Sequence, residues 1–482
     1  MRRRMVMVNA VVSAVVVGGA LVGGVARADV DPGPTRVSGP SPFRPGCTGE
    51  SGPGTLHPNA EVQPDLAVDP RDPRHLVGTF QADRFSDVAS QGLLGVTSFD
   101  GGHSWSRAAL PFSVCAGGEF TRATDSSAAI SPDGTAYLAG LSLNGGIFSP
   151  GGEAAVLVAR SGDGGRTWAK PTTLIREATP AFNDFPLITA DPNNSRYVYV
   201  AWVRIALLAG DHFEGPTYLA RSTDGGRTWQ PPRSIYDPGV DNQTIANKIL
   251  VLPDGTLVNC FSTFHQDPVT GQTSVNMSVI RSTDMGVTWS EPTKVSDIRS
   301  VGATDPDTGT PTRDGATIPH FAVGARGYLY AAWQDSRFTA GARDAIALSR
   351  STDGGLTWSD PVPVNHDLSV AAFSPALAAG ADGTVGVTYY DFRSNTPDPT
   401  TLPTDYWLAT SRNATSWSDR HVAGPFDLAT APRADRPVAG SRYLGDHHGL
   451  VAAGPFFIPL FPATTGNPTN PTDIFTALLA AG

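Results

Sequence analysis

The chain has 482 residues, 40% of them hydrophobic, with nine Trp, 21 Phe and 11 Tyr, so it can bury large cores and is not a disordered tail. Only 17% of residues are charged, while 52 Gly and 41 Pro punctuate the chain, a composition of turns and short strands. The net charge of −10 excludes a nucleic-acid binder, which needs a basic face to neutralise phosphates.

Arg2, Arg3 and Arg4 open the chain, an apolar run extends from about Met5 to Val25, and Ala26-Arg27-Ala28 is a small-x-small cleavage site. Residues 1–28 therefore read as a secretory signal peptide, with a retained anchor as the alternative. No second hydrophobic run of spanning length follows, so the expectation is a secreted, extracellular chain with no membrane attachment after cleavage. Residues 29–57 are rich in Pro, Gly and Ser and read as an extended N-terminal arm. Export permits a disulfide among Cys47, Cys115 and Cys260. Cys47 with Cys115 is the expected pair, because it pins the arm to the first repeats.

From residue 58 to 482 one octapeptide recurs, Ser-x-Asp-x-Gly-x-Thr/Ser-Trp. It occupies Ser98–Trp105, Ser161–Trp168, Ser222–Trp229, Ser282–Trp289 and Ser351–Trp358, with a decayed sixth copy at Ser411–Trp417. A short apolar strand precedes each copy. Before it lie two strands joined by a tight turn such as Pro132-Asp133-Gly134, Pro253-Asp254-Gly255 or Asp382-Gly383, a strong hairpin signal. With a fourth strand after the octapeptide, each repeat makes one four-stranded antiparallel sheet. First strands begin near Glu61, Thr124, Asp184, Gln243, Thr317, Phe373 and Gly445. The predicted fold is all-β, a propeller of seven four-stranded blades whose last blade is completed by the N-terminal arm, with six blades as the alternative.

The octapeptide resembles the Asp-box, or bacterial neuraminidase repeat, of the sialidase superfamily. Its null role is structural: the carboxylate accepts turn N–H groups, glycine permits the bend, and tryptophan packs between strands. The five tryptophans are accordingly expected in equivalent buried positions. In a four-stranded blade the octapeptides and Asp-Gly turns share one face, so chemistry is expected on the other, where second-to-third-strand loops and inter-blade links gather.

That second face collects most of the notable ionisable residues. Second strands end in Asp83-Arg84…Asp87, Asp335-Ser-Arg337 and Asp391-Phe-Arg393, and the links add Glu61, Asp125, Asp184, Arg313, His320, Asp435, Arg436, Asp446, His447 and His448. The resemblance implies an acid/base Asp at Asp87. It also implies a carboxylate clamp from Arg84, Arg337 and Arg393, and a nucleophile or oxocarbenium stabiliser at Tyr443 or Asp446. Three departures stand against it. Val62 occupies the position of the first-strand arginine, Ile318-Pro319-His320 lacks the activating Glu, and Tyr443 is offset by a turn. Two functions follow: a sialidase-type exo-glycoside hydrolase removing terminal acidic sugars from a glycan or glycoconjugate, or a non-catalytic propeller that binds acidic glycans or a protein on the same face. No cofactor and no metal is called for, and a monomer is expected. Asp305-Pro-Asp307-Thr-Gly309 has Ala316 at the twelfth position, which excludes an EF-hand.

Overall fold

The structure, a computed structural model, describes residues 33–47, 54–436 and 439–481. The expected signal peptide lies outside the described residues. Among the described residues regular structure is strand, with helix confined to short 3-10 turns. The all-β class expected from composition and repeats is what forms.

Strand pairing resolves into seven antiparallel four-stranded units, six of them meanders, with the first two joined by the single pair Ser90–Ala123. Their first strands are Val62–Val68, Arg122–Ile130, Ala181–Ala190, Gln243–Val251, His320–Val323, Ala372–Ala379 and Gly449–Ala453. First strands of successive units touch one another in order, and the seventh touches the first. The seventh unit draws its fourth strand from the other end of the chain: Thr35–Arg36 pairs antiparallel with Phe475–Thr476. Val37 N donates to Ile474 O at 2.7 Å, and Ser38 Oγ to Asp473 Oδ1 at 2.7 Å. The disulfide joins Cys47 to Cys115, which ties this arm to the first unit, while Cys260 is free and buried.

The apolar cores lie between neighbouring units. One holds Leu76, Phe80 and Leu94 of the first unit against Ile458, Leu460 and Ile474 of the seventh, with Val37 and Phe43 of the arm. Another joins Tyr137 and Val156 of the second unit to Val200 and Trp202 of the third. Both faces of such a sheet are apolar, so no unit can bury itself alone.

The octapeptide explains the connection between third and fourth strands. In Ser222–Trp229, Ser222 Oγ donates to Asp224 Oδ1 at 2.9 Å and accepts from Gly226 N at 2.8 Å. Thr228 N donates to Asp224 Oδ1 at 2.9 Å and Thr228 Oγ1 to Asp224 Oδ2 at 2.6 Å. Gly225 and Gly226 both adopt φ of +74°, a left-handed turn open to glycine at no steric cost. The decayed copy keeps the pattern with an amide: Thr415 N and Ser416 N both donate to Asn413 Oδ1 at 2.9 Å. The loop also reaches the preceding unit, where Tyr137 Oη and Arg160 Nε donate to Gly225 O at 3.0 and 2.8 Å. His75 Nε2 meets Gly164 O in the same way at 2.8 Å.

The tryptophans occupy equivalent places but are half-buried, not buried as expected. Each packs against the edge of a core beside the exposed turn. Trp229→Ala should therefore cost about 1–3 kcal/mol, less than a fully buried aromatic, as measured by equilibrium unfolding; no measurable loss would contradict the packing. Burial pushes the Asp100 and Asp353 carboxyls up, but the turn's several hydrogen bonds to the ionised form together outweigh it and, as at Asp224, hold them near 2, against 3.8 for the ordinary carboxyl. Their contribution to stability is complete above about pH 4 and disappears as pH falls through about 2. Thermal unfolding followed over that range checks the direction.

Candidate active site

Five of the seven first strands carry a β-bulge near their start, with left-handed backbone at Gln63, Asp125, Phe185, Ala246 and Ser374 (φ 53°, 47°, 56°, 56° and 46°). A bulge re-aims side chains at the cost of local strain. Two of these bulges set Asp125 and Asp184 in the lining of one cleft, and a third places Gln63 behind it, against Asp125 and Tyr443. Two inter-unit links complete it. Thr312–Arg313 and Ser441–Tyr443 pair in parallel, with Arg313 opposite Tyr443. This small sheet lies apart from the seven units and fixes an arginine beside a tyrosine.

The cleft has a volume of about 1000 Å³ and is lined by Arg84, Asp87, Asp125, Asp184, Arg313, Asp314, Arg436, Tyr443 and Asp446, among others. Its lining comes from second-to-third-strand loops, inter-unit links and the starts of first strands, the face opposite the octapeptides.

Tyr443 is fully buried. Its hydroxyl donates to Gln63 Oε1, which also accepts from Gln81 Nε2 at 2.9 Å. Gln63 Nε2 in turn donates to Asp125 Oδ1 at 2.8 Å. The Arg84 and Arg313 guanidiniums lie over the Tyr443 ring, 4.7 and 4.8 Å from its centre. Burial pushes the Tyr443 phenol above its ordinary range, and the charge of Asp446 adds to this against the two arginines. Arg313 grips Asp446 with both prongs, Nε–Oδ1 at 2.8 Å and NH2–Oδ2 at 2.6 Å. Asp87 is ion-paired with Arg122 at 2.7 Å.

Asp184 differs from the other acids. Among the described residues no side chain donates a hydrogen bond to it. Burial, then the charges of Asp125 and Asp446, raise its carboxyl to about 8. Asp125 is raised by burial and by Asp446 as well. The cleft thus pairs a carboxyl that keeps its proton at neutral pH with a carboxylate locked to an arginine. Below it lie His320, His447 and His448, with the His320 ring 6.4 Å from each of the other two. Burial lowers all three, His320 to about 3, so they stand neutral.

Of the six residues expected from the sequence, the cleft brings together Arg84, Asp87, Tyr443 and Asp446. Arg337 and Arg393 are not among its walls. Arg337 holds Asp335 through Nε and NH2, both at 2.8 Å, and also bonds Asp297 O. Arg393 binds Asp391 and Asp419, stacks 3.6 Å over Trp407, and faces a separate cavity. Each staples its own unit with an acid two residues before it, so the three arginines do not converge as a clamp. Arg313, Asp125 and Asp184 stood out in the sequence only as charged link residues. Gln63 and Arg122 carried no signal: an amide and an arginine inside apolar strands read as strand.

No protein-family model matches this chain, and no curated protein matches it. Solved structures give distant likenesses. A protein of unknown function from Dyadobacter fermentans is 16% identical, covering 74% of this chain and 94% of its own, with a TM-score of 0.48. An α-L-arabinanase from Penicillium chrysogenum is 12% identical over 94% of this chain and 98% of its own, at 0.47. The Hadza microbial sialidase Hz136 is 18% identical over 88% and 66%, at 0.43. Likenesses this distant do not assign an activity to the cleft.

A carboxyl at about 8 in the folded chain and 3.8 in the unfolded one means that folding takes up a proton between those values. Stability should fall as pH rises from about 4 to 8. Asp184→Asn should flatten this slope, read from denaturant midpoints at several pH values. An unchanged slope would contradict a neutral Asp184.

Proposed function

We propose that the seven units are the blades of one β-propeller and that its cleft hydrolyses a glycosidic bond of a glycan or glycoconjugate outside the cell. The observation that carries this reading is that Asp184, whose carboxyl burial and neighbouring acids push up to about 8, and the arginine-held Asp446 line one cleft, two carboxyl groups in different surroundings of the kind that glycoside hydrolysis uses. The resemblance of the octapeptide to the Asp-box supports the fold but not the activity.

Asp184 gives its proton to the glycosidic oxygen as the bond to the sugar carbon breaks. Asp446 stabilises the oxocarbenium-like charge on that carbon. Water then adds to the carbon, and the Asp184 carboxylate takes the proton that the water releases. Asp87 is ion-paired with Arg122 at 2.7 Å, whereas no side chain among the described residues donates to Asp184. Arg84, stacked on Tyr443, lies under the sugar as a fixed cation.

Removal of a terminal acidic sugar loses support, because Arg337 and Arg393 stand elsewhere and Arg313 is already neutralised by Asp446. A non-catalytic glycan-binding cleft is the second reading. It is favoured by Gln63, whose amide cannot take the phenolic proton and so leaves Tyr443 without the base a nucleophile needs.

The test is hydrolysis of neutral and acidic glycosides by the parent and by Asp184→Asn. On substrates with poor leaving groups the variant should lose roughly 10²–10⁴-fold, and much less on aryl glycosides. Parent activity should decline as pH rises through about 8, where Asp184 loses its proton. Binding without turnover across the panel would establish the second reading.

A further inference from the structure

A second cavity of about 550 Å³ adjoins the cleft and shares Val301, Gly302 and Thr304 with it as a common wall. The chemistry of the two is opposite. Five aspartates line the cleft: Asp87, Asp125, Asp184, Asp314 and Asp446. Among the described residues the ionisable side chains lining the second cavity are Arg343 and Arg393, and the nearest carboxylates, Asp307 and Asp367, lie behind its walls on Asn395 and Ser369.

The two arginines are not equivalent. Arg393 is spent on Asp391 and Asp419. Arg343 has a single hydrogen bond, NH1 to Leu368 O at 3.3 Å, and no salt bridge among the described residues, although the Asp367 carboxyl, held down first by Ser369, also feels the charges of Arg393 and Arg343. A guanidinium has five N–H donors, so most of this fork is without a hydrogen-bond partner among the described residues. Ser369 and Asn395 add polar groups to the walls, and Phe392 contributes an apolar surface on which a sugar ring can lie.

We propose that this cavity is a second sugar subsite that takes an anionic group of the glycan, with Arg343 as the residue that selects it. Carboxylate and sulfate share the chemistry that a guanidinium fork recognises. The anionic sugar lies one residue or more from the bond held in the cleft, and the probes below distinguish carboxylate from sulfate. The inference rests on the hydrolase reading for the position of the scissile bond, but the binding it asserts stands apart from turnover.

The experiment is calorimetric titration of the parent, Arg343→Gln and Ala342→Trp with three probes: a short oligogalacturonate, its carboxyl-reduced counterpart and a sulfated oligosaccharide of the same length. Ala342 is exposed on the cavity rim, so its replacement fills the cavity without entering a core. The parent should bind the oligogalacturonate at least tenfold more tightly than the reduced form. Arg343→Gln should lose at least tenfold for the acidic probe and little for the reduced one, and Ala342→Trp should lose both. Tighter binding of the sulfated probe would assign the anion to sulfate. Equal affinity of parent and Arg343→Gln for both anionic probes, or no binding of either by the parent, overturns the inference. Hydrolysis of an aryl monosaccharide, which fills the cleft alone, should be unchanged in Arg343→Gln. If the parent binds but never hydrolyses, the hydrolase reading falls while the subsite stands.

Discussion

The whole molecule depends on a four-stranded sheet that cannot bury its own faces. Each unit covers one face with the unit before it and the other with the unit after it, so the first and last units must meet. The meeting is made by Thr35–Arg36, which leaves the N-terminal arm to become the outer strand of the seventh unit. Ser38 and Asp473 bond across this junction, and the Cys47–Cys115 disulfide fastens the arm a second time. The octapeptides do the same work on the opposite face, closing a turn within each unit and accepting hydrogen bonds from the neighbouring one. An arrangement of this kind stores stability in nearest-neighbour interfaces, not in a single core.

That constraint also makes the site. Links that run between units converge where first strands begin, and they carry much of the notable charge of a charge-poor chain. Bulges at Gln63, Asp125 and Phe185 turn the strand starts toward the cleft, and the parallel pairing of Arg313 with Tyr443 brings two distant links together. Acids crowded into a partly dry cleft cannot all ionise. Burial and the neighbouring charges of Asp125 and Asp446 therefore favour the protonated form of Asp184, to which no side chain donates among the described residues, while Asp446 is held by the Arg313 fork.

The fold was legible because its signal repeats. Five octapeptides and a shortened sixth copy, separated by similar distances and in three cases preceded by an Asp-Gly turn, mark out the units and their turns. Even the decayed copy at Asn413 keeps its hydrogen bonds. The site was legible only in part, since it is made once and not repeated. Arg84, Asp87, Tyr443 and Asp446 gather because links converge on that face. Arg337 and Arg393 look the same in sequence yet close back on Asp335 and Asp391, two residues before each. An arginine two residues after an acid serves equally as a staple or as a ligand, and only its partner decides. The bulges left one trace: Gln63, Phe185 and Ser374 are each followed by proline, which cannot donate to the ladder. The burial of Trp229 and its counterparts was overestimated because the octapeptide sits at a turn, where one side of the ring meets solvent.

The most direct test of this account is a crystal structure of Asp184→Asn with a bound oligosaccharide. The account predicts a sugar ring in the cleft between residue 184 and Asp446, with its glycosidic oxygen within hydrogen-bond distance of the substituted side chain. A sugar seated on the octapeptide face, or a glycan that leaves the cleft empty, would contradict it.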